Sequence, residues 1–168
     1  MNNRFLPIVL PIGICGGVLS IIYFLTFYFL GTPPSDSIFA FDFWILPIFI
    51  FIGIKFFRDK LNDKKLRFWE GLALGIQVAL LITVINCLFT FIFYQWIDGN
   101  FLTTYVNDVL SQHLERREEM KELPQASFNK ITEEIKQISS FGIAMLKFLR
   151  NMFVGLLSVI LLSVIFRR

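Results

Sequence analysis

Four apolar stretches, at 5–30, 38–57, 68–96 and 141–166, take up most of this 168-residue chain. Each reaches the roughly 20 mainly apolar residues that an α-helix needs to cross a bilayer. Apolar residues make up 55% of the sequence and charged residues 17%. A soluble domain of this size could not hide that much apolar surface, because small domains bury only about two thirds of what the chain exposes. Barrel strands are about 10 residues long and alternate in polarity, and these runs do not alternate. The expected fold is therefore all-α: a polytopic membrane protein forming a single membrane domain over 1–168, with four transmembrane helices. The first stretch follows a basic Arg4, yet it far exceeds the 7–15 apolar residues of a signal peptide. It is read as an uncleaved first helix.

Charge placement gives these helices a direction. Lys55, Arg58, Lys60, Lys64, Lys65 and Arg67 crowd the link between the second and third stretches, and Arg4, Arg167 and Arg168 fall on the same side. The opposite side carries the link 31–37, with no Lys or Arg, and the segment 97–140, with five basic and eight acidic residues. Positive residues favour the cytoplasmic side, so both termini and the six-cation loop are expected there. The six cations are also expected to touch anionic lipid headgroups. No basic fold or aromatic–basic motif accompanies them, so nucleic acid is not an expected partner.

Small residues mark packing faces. Gly13 and Gly17 lie four apart in the first stretch, and Gly71, Gly75 and Ala79 form a stripe at spacing four in the third. Such stripes let helix backbones approach closely, either within the chain or against a partner. Pro7, Pro11 and a mid-helix Pro47 are expected to bend their helices by freeing backbone carbonyls. Trp44, Trp69 and Trp96 lie near helix ends, where amphipathic rings prefer the headgroup level. Cys15 and Cys87 fall inside apolar runs and are read as buried, inert thiols. His113 has no partner at ligand spacing, so neither a metal nor a cofactor is expected.

The segment 97–140 has helical structure of its own. Phe101, Tyr105, Val109, Leu110 and Leu114 recur at helical spacing, and Leu123-Pro124 ends the charged run that follows. Phe128, Ile131, Ile135 and Ile138 then repeat at steps of 3, 4 and 3, which makes one apolar stripe. This predicts an extracytoplasmic helical hairpin between helices three and four, its second helix running into helix four. It contains no nucleophile–base arrangement and no glycine-rich phosphate loop.

Asp42, Lys147 and Arg150 interrupt the apolar runs, and ionisable residues inside spans count as functional hypotheses. Lys147 and Arg150 are three apart and share a helix face. Asp42 falls at a similar depth on the second helix. Three readings stay open: cations snorkelling to the headgroups, an ion pair with Asp42, or a cationic pocket for a phosphate or lipid headgroup. Gln77, Asn86 and Asn151 are expected to make interhelical hydrogen bonds. Glu70 sits at the boundary near Lys65 and Arg67, where an ion pair is expected.

The layout combines an Arg58-Asp59-Lys60 exit, a basic loop, Phe68-Trp69-Glu70-Gly71-Leu72-Ala73-Leu74-Gly75, an acidic outer segment and a last helix ending in basic residues. It resembles the small four-helix Bacteroidetes membrane proteins grouped as domain of unknown function 4199. The resemblance covers nearly the whole chain and implies a bacterial inner-membrane location. It brings no catalytic residues, and Lys147 and Arg150 are outside its pattern. Such genes often neighbour those of membrane-associated glycosyltransferases, which implies a partner of that kind. The expected function is a non-enzymatic integral membrane subunit that scaffolds or regulates a larger envelope complex. The rival is a small transporter or lipid-linked substrate handler with an outer-leaflet cationic site.

The orientation is open to a direct test. A fluorescent protein fused after Arg168 is expected to fluoresce, and alkaline phosphatase fused there to stay inactive. Active phosphatase at that position would reverse the assignment.

Overall fold

The computed structural model describes residues 5–33, 42–62, 65–118 and 124–167, and among these every regular element is helical. In order they are α1 (Leu6–Phe29), α2 (Ile45–Phe56), α3 (Phe68–Ile92), α4 (Gly99–Glu115), α5 (Gln125–Lys136) and α6 (Ser140–Ile165). A 3-10 turn at 42–44 leads into α2, and π-helical turns at Phe57–Leu61 and Phe93–Ile97 extend α2 and α3. Three helices, Leu6–Phe29, Phe68–Ile97 and Ser140–Ile165, are long and apolar enough to cross a membrane. Arg4, 34–41, Lys64, 119–123 and Arg168, which entered the expectations above, lie outside the described residues.

Local chemistry sets the helix ends. At the end of α1, Gly31 takes a left-handed φ of 70°. The Thr32 N–H donates to Phe27 O and the Gly31 N–H to Tyr28 O. This is the Schellman pattern, which needs a residue without a Cβ penalty. Ser139 caps α6 by accepting from the Gly142 N–H at 3.1 Å. Asp98 caps α4, with Oδ1 accepting from the Phe101 N–H. Two expectations change here. Pro47 lies in the first turn of α2 rather than mid-helix, where its missing N–H removes no intrahelical bond. And α5 does not run into α6: Gln137 ends it, and the Ser139 cap starts a new helix.

The bundle is organised by close approach of backbones. A Cβ placed on Gly71 would meet Ser163, one on Gly75 would meet Val159 at 2.9 Å, and one on Gly155 would meet Ala79 at 3.1 Å. As the α3 number rises by four the α6 number falls by four, so the two helices are antiparallel and in steady register. Gly13, Gly16 and Gly17 of α1 meet Leu81, Ile82 and Ile85 of α3, and these numbers rise together, so α1 and α3 are parallel. The small stripes read from the sequence are thus both used inside the chain. Leu46, Ile50 and Ile54 of α2 fill the space between, packed with Leu74, Val78, Ile82 and Val159.

A second cluster closes one end. Phe24, Phe93, Tyr94 and Phe101 are buried together, with Phe24 and Phe93 edge-on at 4.9 Å between centroids. Such pairs contribute about 0.5–1.5 kcal/mol beyond area burial. The Tyr28 hydroxyl donates to Asp98 Oδ2 at 2.9 Å, so one carboxylate caps α4 and ties it to α1. Beyond this cluster α4 and α5 pack together, with His113 stacked on Phe128 at 4.3 Å and Arg117 donating to Gln125 at 2.6 Å. Large apolar side chains cover the exposed faces of α1, α3 and α6, as lipid contact requires. Trp69 and Trp96, both exposed, are about 40 Å apart along α3 and its π turn at 1.5 Å per residue, close to the full thickness of a bilayer.

Overpacking the α3–α6 contact should weaken the bundle. Gly75→Leu is expected to cost about 1–3 kcal/mol, whereas Gly99→Ala, with nothing within 4 Å of its added Cβ, should be tolerated. Unfolding of both variants in a mixed-detergent titration would check this, and equal stability would contradict the register.

Candidate functional site

The cluster that stands out chemically lies where α6 passes the start of α2. From the first residue of α6, Ser140, Lys147 and Arg150 fall roughly 10 and 15 Å into the helix at 1.5 Å per residue. Lys147 Nζ lies 2.7 Å from Asp42 Oδ2, and an Arg150 terminal guanidinium nitrogen lies 2.6 Å from Asp42 Oδ1. Each carboxylate oxygen therefore faces its own cation. The side chains of Asp42, Lys147 and Arg150 are 1%, 10% and 36% exposed. Of the three arrangements open from the sequence, the structure contains the ion pair with Asp42, extended to a triad. The Arg150–Asp42 contact is a charge-assisted hydrogen bond of the strong kind and the Lys147–Asp42 contact is an ion pair, though much of their strength offsets the cost of removing the charges from water.

Neighbouring helices complete the surroundings. Lys147 Nζ lies 5.4 Å from the centroid of the Phe24 ring of α1, a cation–π contact. Arg150 also makes long contacts, at 3.4 and 3.5 Å, to Asn151 Oδ1. From α4, Tyr105 lies within electrostatic reach of Arg150. Burial lifts the Tyr105 phenol above its usual range, and the nearby guanidinium draws it back down. The triad thus ties α6 to α2 and brings α1 and α4 beside it. Its formal charge is +1, one carboxylate against two cations.

The polar residues deep in the helices differ from expectation. Gln77 is exposed and donates to Ala73 O of its own helix. Asn86 is buried, and neither of its amide atoms has a hydrogen-bond partner. Asn151 accepts from its neighbour Arg150. Among the described residues none of the three makes an interhelical hydrogen bond, because helix phase decides what each can reach. Gln77 and Asn86 are nine residues apart, which puts them on opposite faces of α3. Thr83, Thr90 and Ser163 are also buried with free hydroxyls, and the α3–α6 register sets Thr83 opposite Asn151. These were missed in the sequence, although Thr83, Asn86 and Thr90 continue the phase of Gly75 and Ala79. Tyr28–Asp98 and Tyr105 were missed as well.

The expected lipid-facing cations divide. Lys55, Lys60, Lys65 and Arg67 are exposed. Arg58 is half-buried, 2.7 Å from Asp59 and 4.7 Å above the Phe166 ring, so it packs the two helix ends together. Glu70 accepts from the Arg67 N–H at 3.1 Å and from Asn62 Nδ2 at 3.0 Å. Cys15 lies on the exposed face of α1 and Cys87 is half-buried, both as free thiols; helix phase turns Cys15 outward rather than burying it.

Among known proteins, a family described as Protein of unknown function (DUF4199) matches residues 12–168. No curated protein and no solved structure gives a significant match.

Asp42 neutralises two cations, so removing it alone should be costly. Asp42→Leu is expected to destabilise by about 3–5 kcal/mol, and replacing all three charges by Leu to recover most of that loss. Thermal unfolding in detergent would check this. A silent Asp42→Leu change would show that the triad contributes nothing to stability.

Proposed function

The chain belongs to this family of unknown function, and on that premise we propose a non-enzymatic integral membrane subunit that scaffolds or regulates a larger envelope complex of the bacterial inner membrane. The bundle in this reading crosses four times. Parallel α1 and α3 support that, since the chain must return between them and α2 is the helix available. Its continuous helical turns over 42–61 extend about 30 Å, the thickness of the hydrocarbon core. With the basic link between α2 and α3 on the cytoplasmic side, both termini are cytoplasmic and α4 and α5 form an extracytoplasmic hairpin.

The observation that carries the reading is how the helix pair is mounted. Asp98 and the aromatic cluster of Phe24, Phe93, Tyr94 and Phe101 join α4 to the bundle end. The pair then presents exposed Leu114 and Ile131 beside a charged surface. A firmly mounted amphipathic platform suits docking by another envelope protein, and a membrane-associated glycosyltransferase is the first partner to test. The rival reading, a small transporter or lipid-linked substrate handler, draws on the partial exposure of Arg150.

Purification from native membranes in mild detergent, followed by mass spectrometry, tests the accessory reading. A stoichiometric partner is expected, and it should be lost from Leu114→Glu/Ile131→Glu without a change in thermal stability. A protein that always purifies alone would overturn it.

A further inference from the structure

A groove of about 510 Å³ runs along the outer surface of the bundle between α2 and α6. Trp44, Ile48 and Phe51 line one wall, and Ser158, Leu161 and Ile165 the other. The Ser158 hydroxyl donates to Val154 O of its own helix at 2.8 Å, so this wall is apolar in effect. The volume is in the range of a ligand site, and the shape and lining suit a hydrocarbon chain.

Both walls lead to the ion triad. On α6, Arg150, Val154, Ser158, Leu161 and Ile165 follow at steps of 4, 4, 3 and 4, a single face of the helix. In the 3-10 turn that leads into α2, Asp42 precedes Trp44 by two residues. Arg150 and Asp42 are joined at 2.6 Å, so the walls converge where the excess positive charge sits. Asp42 is buried and fully engaged, whereas more than a third of the Arg150 side chain is exposed. A guanidinium has five N–H donors in a fork suited to phosphate, and Asp42 together with the long contacts to Asn151 occupies only part of it. A single leaflet is about 15 Å thick in hydrocarbon, equal to about ten residues of helix. An acyl chain below a headgroup at Arg150 would reach Ile160, and so enter the end of the groove at Ser158.

From this geometry we infer a binding site for an anionic diacyl phospholipid, with its phosphate on the exposed edge of Arg150 and one acyl chain in the α2–α6 groove. The lipid neutralises the excess charge of the triad and covers the groove. The site requires neither the accessory role nor transport, so it stands or falls separately from both.

Full-length protein in detergent, titrated with phosphatidylglycerol or phosphatidylcholine of identical acyl chains and read by native mass spectrometry, provides the test. Phosphatidylglycerol is expected to be retained at least about tenfold better, the scale of one hydrogen bond to a charged group. Arg150→Gln should bring it down to the phosphatidylcholine level, Arg150→Lys should keep part of the preference, and Ser158→Trp should weaken both lipids alike. Equal retention of the two lipids by the unaltered protein would overturn the site. So would an undiminished preference in folded Arg150→Gln, or displacement of phosphatidylglycerol by inorganic phosphate at equal affinity, which marks a small-anion site. If either variant fails to fold, the comparison of the two lipids on the unaltered protein decides.

Discussion

Close contact between α3 and α6 is the constraint on which the rest of the bundle depends. Lipid tails are as apolar as leucine, so helices in a membrane gain little from hiding apolar surface from one another. They gain from close packing instead, and α3 and α6 achieve it where Gly71, Gly75 and Ala79 meet Ser163, Val159 and Gly155. Once that register holds, the other contacts have little freedom. Gly155 also leaves room for Leu46, which seats α2. With α2 seated, Asp42 arrives at the depth of Lys147 and Arg150.

The triad therefore reads as a consequence of packing and as a lock upon it. Carbon surfaces tolerate small slips along a helix axis, whereas a carboxylate held by two cations at 2.6 and 2.7 Å does not. A slip of one turn would leave a buried charge without its partner, which costs far more than the pair contributes. The Tyr28–Asp98 bond plays a similar part at the end of the bundle, since it joins the α1 terminus to the α4 cap. Two polar contacts thus specify what the apolar bulk leaves loosely determined.

Legibility followed the range of the physics. The long apolar runs, the glycine stripe of α3 and the two helices within 97–140 depend on local periodicity, and they were readable. The α6 side of the glycine stripe was not, because Val159 is no small residue; its branched methyls fill the notch that Gly75 opens. Gln77 and Asn86 carry the same amide, yet one is exposed and one buried. The phase of the stripe could have separated them, since Asn86 follows Gly75 and Ala79 around the helix and Gln77 does not. Pro47 was misplaced because the start of α2 depends on tertiary position rather than on its apolar run.

By itself the sequence determined that this chain forms apolar helices suited to a membrane, where its charges interrupt them, and which faces are small enough for close packing. Each of these follows from residue type and spacing along one helix. Only the tertiary structure decided that Asp42 holds Arg150 across 108 positions, that Tyr28 reaches Asp98 across 70, and that an apolar groove leads up to the charged cluster. Those outcomes rest on which turn of one helix lies beside which turn of another, and that is settled by packing the whole bundle at once.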